Sequence, residues 1–243
     1  MHGPSGDPFR DRRERMQIAC IIPAFNEETT IGRIVGEALK YCSTVLVVDD
    51  NSQDHTAHAS ENAGAVVVKH MLRLGTGGAL STGFKAALRT DCKVFLTIDG
   101  DGQHNPDEIP ILIDPILKGE ADLVIGSRFI EGHQSMPLHK KLGNKVLSTA
   151  TSFASGRRIT DSQSGFRAHR REVLEFAIHS GRDYRWASET LILAARGNFK
   201  IKEVPITTTY LEKRKRGAGM RDGLKILYST AKRVRRPVWI LYV

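Results

Sequence analysis

FLTIDGDGQHNPDEI (residues 95–109) passes from an apolar run into two aspartates one residue apart, then into a proline-led segment. The apolar part, KVFLTID (93–99), has the length and β-branched content of a buried strand. Pro106 stands where a helix would begin, a favoured place because the missing N–H would have no partner there anyway. Strand, polar tip and helix form one β-α unit. The same unit recurs along the first half of the chain. IACII (18–22), TVLVVDD (44–50), AVVVKH (65–70) and ADLVIG (121–126) read as further strands, nearly all apolar, as parallel strands covered on both faces are. Helices are expected at 27–40, 54–63 (with Asp54 as N-cap), 77–89 and 106–118. This alternation specifies an α/β fold with a mostly parallel, Rossmann-like central sheet flanked by helices.

The second half is less regular. Helices are expected at 138–156, 171–178 and 187–196, a loop at 161–170 and a strand at 199–210. Residues 220–234 place Met220, Leu224, Leu227, Tyr228 and Ala231 on one helical face. With no internal repeat and no low-complexity linker, one domain over 17–236 is expected, preceded by a charged, Gly- and Pro-containing leader (1–16) and followed by a short apolar tail (237–243).

Length and composition fit that picture. The 243 residues can bury one sizeable core, and 40% hydrophobic with 26% charged residues is ordinary for a globular protein. Cys20, Cys42 and Cys92 lack metal-ligand spacing and read as buried thiols. No run of eighteen apolar residues occurs, so no bilayer-spanning segment is expected. The net charge of +9 is concentrated: residues 212–236 hold ten Lys or Arg against Glu212 and Asp222. Such an end suits an anionic membrane surface or a phosphate-bearing substrate. Nucleic acid would also suit it, but no reading module accompanies the charge and aromatics are few, so no nucleic-acid partner is expected.

In open parallel sheets, ligands bind beyond the carboxyl ends of the strands. Here those ends read Pro23–Ala24–Phe25–Asn26–Glu27–Glu28, Asp49–Asp50–Asn51–Ser52, Arg73–Leu74–Gly75–Thr76–Gly77–Gly78, Asp99–Gly100–Asp101–Gly102–Gln103 and Gly126–Ser127–Arg128. Positions i and i+2 of an extended segment face the same way, so the Asp99 and Asp101 carboxylates converge. Two like charges there repel unless a divalent cation such as Mg2+ or Mn2+ joins carboxylates to substrate phosphates. A surface Asp-Gly turn is the plain alternative. Asp49 and Asp50 can cap the following helix or accept from a base or ribose. RLGTGG lacks the spacing of a phosphate-binding P-loop. Arg128 can fork onto phosphate oxygens or stand as a surface arginine. His104 reads as a packing or hydrogen-bonding residue.

Taken in order, IIPAFNEETTIG, VLVVDDNSQDHT, RLGTGGAL, TIDGDGQHNPDEI, DLVIGSRF and DSQSGFRAHR resemble a family 2 glycosyltransferase of the GT-A fold, within it the dolichyl- or polyprenyl-phosphate sugar synthases. The resemblance spans residues 17 to 230. It implies inverting transfer of a sugar from a nucleotide sugar to a lipid phosphate. Position by position, Pro23, Phe25 and Glu27 would line the nucleotide site with Asp49 or Asp50 at the base or ribose. Asp99, Asp101 and Gln103 would hold Mg2+ or Mn2+ on the diphosphate, and Arg128 would meet the acceptor phosphate or the donor. Asp161, Gln163, Ser164, Gly165 and Arg167 would form the acceptor-side loop. Arg214 and Arg216, within LEKRKRGAGM, would belong to a mobile basic loop over the site. Asp101, Arg128 and Arg214 are the residues expected to act on the reacting groups.

Two departures stand out. Gly219–Met220–Arg221 replaces a Ser-Lys pair that many relatives carry, and the transmembrane helices many append are not found. A lipid acceptor then implies peripheral docking on the cytoplasmic face through the basic end and RRPVWILYV. A phosphate acceptor is already anionic at neutral pH and needs no base; an alcohol acceptor would need one, and Glu189 in WASETLIL is the candidate, against a role in ordering the basic loop. A glycan or small polar alcohol as acceptor, or nucleotide-sugar binding without turnover, are the rival readings. Uridine-linked glucose or N-acetylglucosamine is favoured as donor over guanosine-linked mannose on overall resemblance. A homodimer through the C-terminal strand or helix is left open.

Overall fold

A computed structural model describes residues 17–130, 136, 138–177 and 186–209. The leader, the basic segment with Arg214 and Arg216, the expected helix at 220–234 and the apolar tail lie outside the described residues.

Within them the chain forms β1 (Ile18–Ala24), α1 (Ile31–Ala38), β2 (Thr44–Asp49), α2 (Thr56–Asn62), β3 (Val66–Lys69), α3 (Thr76–Ala87) and β4 (Val94–Thr97). A 3-10 turn at Pro106–Glu108 then leads into α4 (Ile109–Leu117), followed by β5 (Leu123–Ser127), α5 (Leu138–Ser155) and β6 (Arg167–Arg170). The last elements are α6 (Arg171–Ala177), α7 (Trp186–Arg196) and β7 (Ile201–Pro205). One sheet takes the order β3-β2-β1-β4-β6-β5-β7. All neighbours are parallel except β6, which runs antiparallel to both β4 and β5. The mostly parallel α/β single-domain architecture is therefore present.

The core follows the period of two along each strand. Ile18, Cys20 and Ile22 of β1, with Val45 and Val47 of β2 and Val94 and Leu96 of β4, face α1 and α4 through Ile31, Ile34, Val35, Ile109, Leu112 and Ile113. Ala19 and Ile21, with Leu46 and Phe95, face α3 through Leu80 and Phe84, and Trp186 of α7 joins them. A Cβ at Gly83 would collide with Ile21, so glycine lets α3 lie close on β1. Cys20, Cys42 and Cys92 are buried free thiols.

Several boundaries differ from the sequence expectation, and α2 begins at Thr56 with His55, not Asp54, at its N-cap position, while Asp54 Oδ1 accepts from the Thr56 N–H at 3.0 Å. Helix α1 begins at Ile31 and not at 27, because Asn26 takes a left-handed backbone (φ 54°) and Glu27–Thr30 closes a turn, with the Thr30 N–H donating to the Glu27 carbonyl. The final strand is confined to Ile201–Pro205 within the expected 199–210. The expected loop 161–170 contains β6, whose Arg167 and His169 are buried side chains in a strand between β4 and β5. Apolar patterning cannot reveal a strand whose inward residues are Arg and His.

Candidate active site

Three loops at the carboxyl edge of β1–β3 are laced together. Asn26 and Asn51 both take left-handed backbones (φ 54° and 63°), turning their loops toward each other. The Asn26 N–H donates to Ser52 Oγ at 2.9 Å, and the Gln53 N–H donates to Asn26 Oδ1 at 2.8 Å. Glu27, buried beneath this lacing, donates its N–H to Thr56 Oγ1 at 2.7 Å. Asp49 and Asp50 divide their work. Asp49 Oδ1 accepts from the Ser52 N–H at 2.9 Å, while its buried Oδ2 has no hydrogen-bond partner among the described residues. Asp50 accepts from His70 Nδ1 (2.8 Å) and from the N–H groups of Leu74 (2.8 Å) and Gly75 (2.7 Å). It thereby folds the RLGTGG loop back over β2, and Arg73 of that loop stacks its guanidinium 3.8 Å from the centre of the Phe25 ring. Pro23 pairs in register with Val48 at the same edge.

The acidic pair follows β4. The Gln103 N–H donates to Asp101 Oδ1 at 3.0 Å, and the Gln103 side-chain amide donates to Asp101 Oδ2. Burial and the adjacent Asp99 charge push the Asp101 carboxyl above the usual range. Asp99 goes the other way: burial disfavours its charge, but His104 and the Arg128 and Arg167 guanidiniums hold its carboxyl below the usual range. His104 Nε2 stands 3.6 Å from Asp99 Oδ2, the ring lies 5.3 Å from that of Phe166, and the backbone bridges to Thr208. Gly165 shapes the floor. A Cβ there would lie 2.6 Å from Asp99 Oδ2, and the Gly165 carbonyl is fixed by Thr97 Oγ1 at 2.7 Å.

Among the described residues no group of three or more His, Cys, Asp or Glu is arranged to hold a metal. Two converging carboxylates still fit a hard cation, because Mg2+ commonly takes one or two carboxylates and completes its shell with water and substrate phosphates. Burial first and the Asp99 charge second disfavour a second negative charge on Asp101, a cost that a bound dication would offset.

Facing the acid pair, Arg128 leaves β5 and forks onto Asp161: Nε to Oδ2 at 2.6 Å, Nη2 to Oδ1 at 2.8 Å, with its own N–H on Oδ2 at 3.1 Å. Burial opposes the Asp161 charge, but Arg128 holds its carboxyl below the usual range. Glu203 of β7 accepts from the N–H groups of Thr160 and Asp161, and Thr160 Oγ1 also meets Ser127 Oγ at 2.7 Å. Gln163 donates its amide to Ser162 Oγ and Ser188 Oγ, and Ser164 Oγ accepts from the Phe166 N–H. Arg167 is buried, and burial lowers its pKa to about 10. Its guanidinium donates to the carbonyls of Ser164 (2.9 Å), Ala187 (2.7 Å) and Ser162 (2.7 Å), so its hydrogen bonds shape the loop from beneath. Glu189 is buried in the first turn of α7, next to the Ser188 that holds Gln163.

Pro23, Phe25, Glu27, Asp49, Asp50, Asp99, Asp101, Gln103, Arg128 and the 161–167 loop are thus gathered at one edge of the sheet. The sequence reading did not single out His70, Thr160 or Glu203. Glu203 carried a signal, being an acid within a short strand, and that strand pairs alongside β5 with Glu203 beside Ile125.

The mostly parallel sheet, with the acid pair and the Arg128–Asp161 fork among the loops at one edge, is that of a glycosyltransferase of the GT-A architecture. Residues 19–176 match the glycosyl transferase family 2, and the chain belongs to that family. It is 36% identical over 234 residues to the UDP-N-acetylglucosamine–dolichyl-phosphate N-acetylglucosaminyltransferase of Methanococcus voltae, covering 87% of this chain and 93% of that one. It is also 36% identical over 223 residues to the polyprenol monophosphomannose synthase of Mycolicibacterium smegmatis, covering 86% and 83%. The fold is similar to that of glucosyl-3-phosphoglycerate synthase from Mycobacterium tuberculosis in complex with Mg2+ and uridine diphosphate, with a TM-score of 0.73 at 22% identity, covering 98% of this chain and 86% of that one.

Proposed function

We propose that this chain transfers a sugar, with inversion, from a nucleoside-diphosphate sugar to the phosphate of a polyprenyl or dolichyl lipid at the cytoplasmic face of a membrane. The observation that carries the reading is that the Arg128 guanidinium, forked on Asp161 after β5, reaches the field of Asp99 after β4, with β6 between the two strands. Relatives named for dolichyl- and polyprenyl-phosphate transfer support the acceptor class.

Pro23, Phe25, Glu27 and Asp49 line the nucleotide side, where the unpartnered Asp49 Oδ2 is a buried acceptor suited to an N–H of the base. Asp50 holds the RLGTGG loop that closes that side. Asp99, Asp101 and Gln103 would hold Mg2+ or Mn2+, which when bound supplies Lewis-acid neutralisation of the diphosphate. A phosphate oxygen of the acceptor attacks the anomeric carbon, the new carbon–oxygen bond forms on the opposite face, and the bond to the nucleoside diphosphate breaks. No proton needs removing, because the phosphate is ionised at neutral pH. Arg128, oriented by Asp161, offers positive charge to the phosphates, and Arg214 and Arg216 complete that role from the basic segment. Gln163 and Ser164 shape the acceptor side with Arg167 beneath them. Glu189 orders this region and does not act as a base. Uridine-linked glucose or N-acetylglucosamine is the proposed donor, with guanosine-linked mannose the alternative.

The test is direct. Purified protein, Mg2+, a panel of nucleotide sugars and short polyprenyl phosphate in detergent should yield glycosylated lipid, and Asp101→Ala should abolish it with an unchanged melting temperature. Transfer only to soluble alcohols, or full activity of Asp101→Ala, overturns the reading.

A further inference from the structure

Helix α5 is built inside out. Its inward face holds Leu147 but is otherwise largely polar: Ser148 and Thr151 are buried, and Ser152 is half-buried. These hydroxyls hold the neighbouring loop and helix. Ser148 Oγ accepts from the Ser162 N–H at 3.0 Å, Thr151 Oγ1 donates to Ser188 Oγ at 3.0 Å, and Ser152 Oγ both donates to the Ile159 carbonyl (3.0 Å) and accepts from the Ile159 N–H (2.9 Å). The outward face carries the apolar row. Leu142 is 66% exposed, Val146 46% and Phe153 80%. At spacings of four and seven these three fall on one stripe. A helix packed in water normally sets the apolar residues inward, so this inversion points to an apolar environment outside the protein.

Charge identifies that environment. The helix LHKKLGNKVLSTATSFAS contains no acidic residue. Exposed Lys141 and Lys145 flank the apolar stripe, and exposed Arg157 and Arg158 follow the helix directly. An apolar stripe with lysines along one side, arginines after its end and no acid on the helix matches the interface of an anionic bilayer, where aliphatic and aromatic side chains enter the acyl boundary and ammonium groups stay with the headgroups. Among the described residues no helix is long and apolar enough to cross a membrane, so this is a surface that lies on a bilayer and does not span it. We propose that the outer face of α5 is the membrane-docking surface, seating the protein on an anionic lipid leaflet.

The placement deepens the lipid-phosphate reading, on which it rests for its purpose. Ser148 and Ser152 grip residues 159–162, the segment that contains Asp161 and leads to the Gly165 floor of Asp99. A bilayer under α5 would bring a lipid phosphate to the acceptor side and leave the nucleotide loops of β1–β3 to solution.

The experiment uses the full chain and vesicles without acceptor or donor, so it is independent of turnover. Flotation with phosphatidylcholine–phosphatidylglycerol vesicles should recover wild-type protein, with little on phosphatidylcholine alone. Leu142→Ser/Val146→Ser/Phe153→Ser should weaken partition by roughly a hundredfold, and Lys141→Glu/Lys145→Glu by about tenfold at low salt. These positions are exposed, so melting temperature and uridine diphosphate binding should not change. Retained binding by the triple variant overturns the proposal, as does binding that is lost only with Met71→Ser/Leu72→Ser, which would place docking on the loop after β3. Wild-type dimers that become monomers in the triple variant without lipid would assign the face to a second copy and overturn it too.

Discussion

A glycine can be as restrictive as a charged residue when a carboxylate occupies the space its side chain would fill. Gly165 leaves room for Asp99, and a methyl group there would sit 2.6 Å from one carboxylate oxygen and 2.8 Å from the other. Gly165→Ala should therefore displace Asp99 and cut sugar transfer about a hundredfold or more, in the range seen when catalytic geometry shifts by an ångström. Mn2+-dependent nucleotide binding, followed by calorimetry, should fall with it while the circular dichroism spectrum holds. His169 makes a different demand. Burial and the Arg167 charge push its imidazole down to about 3, and Nδ1 meets the Phe95 carbonyl at 3.3 Å. Its unfolded-state value is near 6.5. With the folded value depressed, the neutral ring's contribution is fully present above pH 6.5 and is lost as pH falls toward 3, because the unfolded chain takes up the proton first. The slope is about 1.4 kcal/mol per pH unit between those limits. His169→Leu should flatten this acid limb in urea melts taken from pH 7 to 4.5. Neither role was legible beforehand: Gly165 sat in a loop motif with no visible neighbour, and His169 lay in a segment read as loop.

Elements with strong apolar period were legible in the sequence, and elements built from polar residues were not. Each of β1 to β5 was read from its hydrophobic run: β1, β2, β4 and β5 are buried and apolar nearly throughout, whereas β3 at the sheet edge keeps its Val run with Val66 exposed. Strand β6 is the exception, with Arg167 and His169 buried in a four-residue segment. Its burial becomes tolerable only because three carbonyls receive the Arg167 guanidinium, and those partners come from 162, 164 and 187, which no local window brings together. The carboxyl-edge site was legible for a related reason: strand ends in an open sheet must release polar residues at one edge. The contacts that decide which aspartate does what were not, since Asp50 is engaged by His70, Leu74 and Gly75 twenty or more positions away. Helix α5 offers an elementary test of its own geometry. Gly143 lies exposed within it, and a Cβ there would meet nothing within 4 Å. Gly143→Ala should stabilise the protein by about 0.5–1 kcal/mol through the lower conformational entropy of the unfolded chain and the better helix propensity. That corresponds to roughly 2 °C in melting temperature for a chain of this size, with transfer activity unchanged.

At the scale of the molecule, the sheet divides at the β4–β6 pairing, and the site divides with it. The parallel half, β3-β2-β1-β4, carries the loops proposed to take the nucleotide and the acid pair, while the mixed half, β6-β5-β7, carries the Arg128–Asp161 fork and its support from Glu203. Electrostatics joins the halves: Arg128 and Arg167 lower the carboxyl of Asp99 from across the junction. Substitutions on the two sides should then fail in different ways. Asp101→Asn removes a charge from the half proposed to hold the donor, so nucleotide affinity in the presence of Mn2+ should fall about tenfold or more, with little difference when the metal is withheld. Arg128→Lys keeps a positive charge but breaks the two-point fork on a fully buried Asp161. Leaving that carboxylate poorly paired should cost about 1–3 kcal/mol of stability, and turnover should fall roughly tenfold to a hundredfold with Mn2+-dependent nucleotide affinity held within about twofold. Calorimetric titration of uridine diphosphate beside single-turnover transfer would separate the two patterns. If Arg128→Lys weakened nucleotide binding as much as Asp101→Asn does, the Arg128–Asp161 fork would belong to the donor side, and the division of the site along the β4–β6 seam would be wrong.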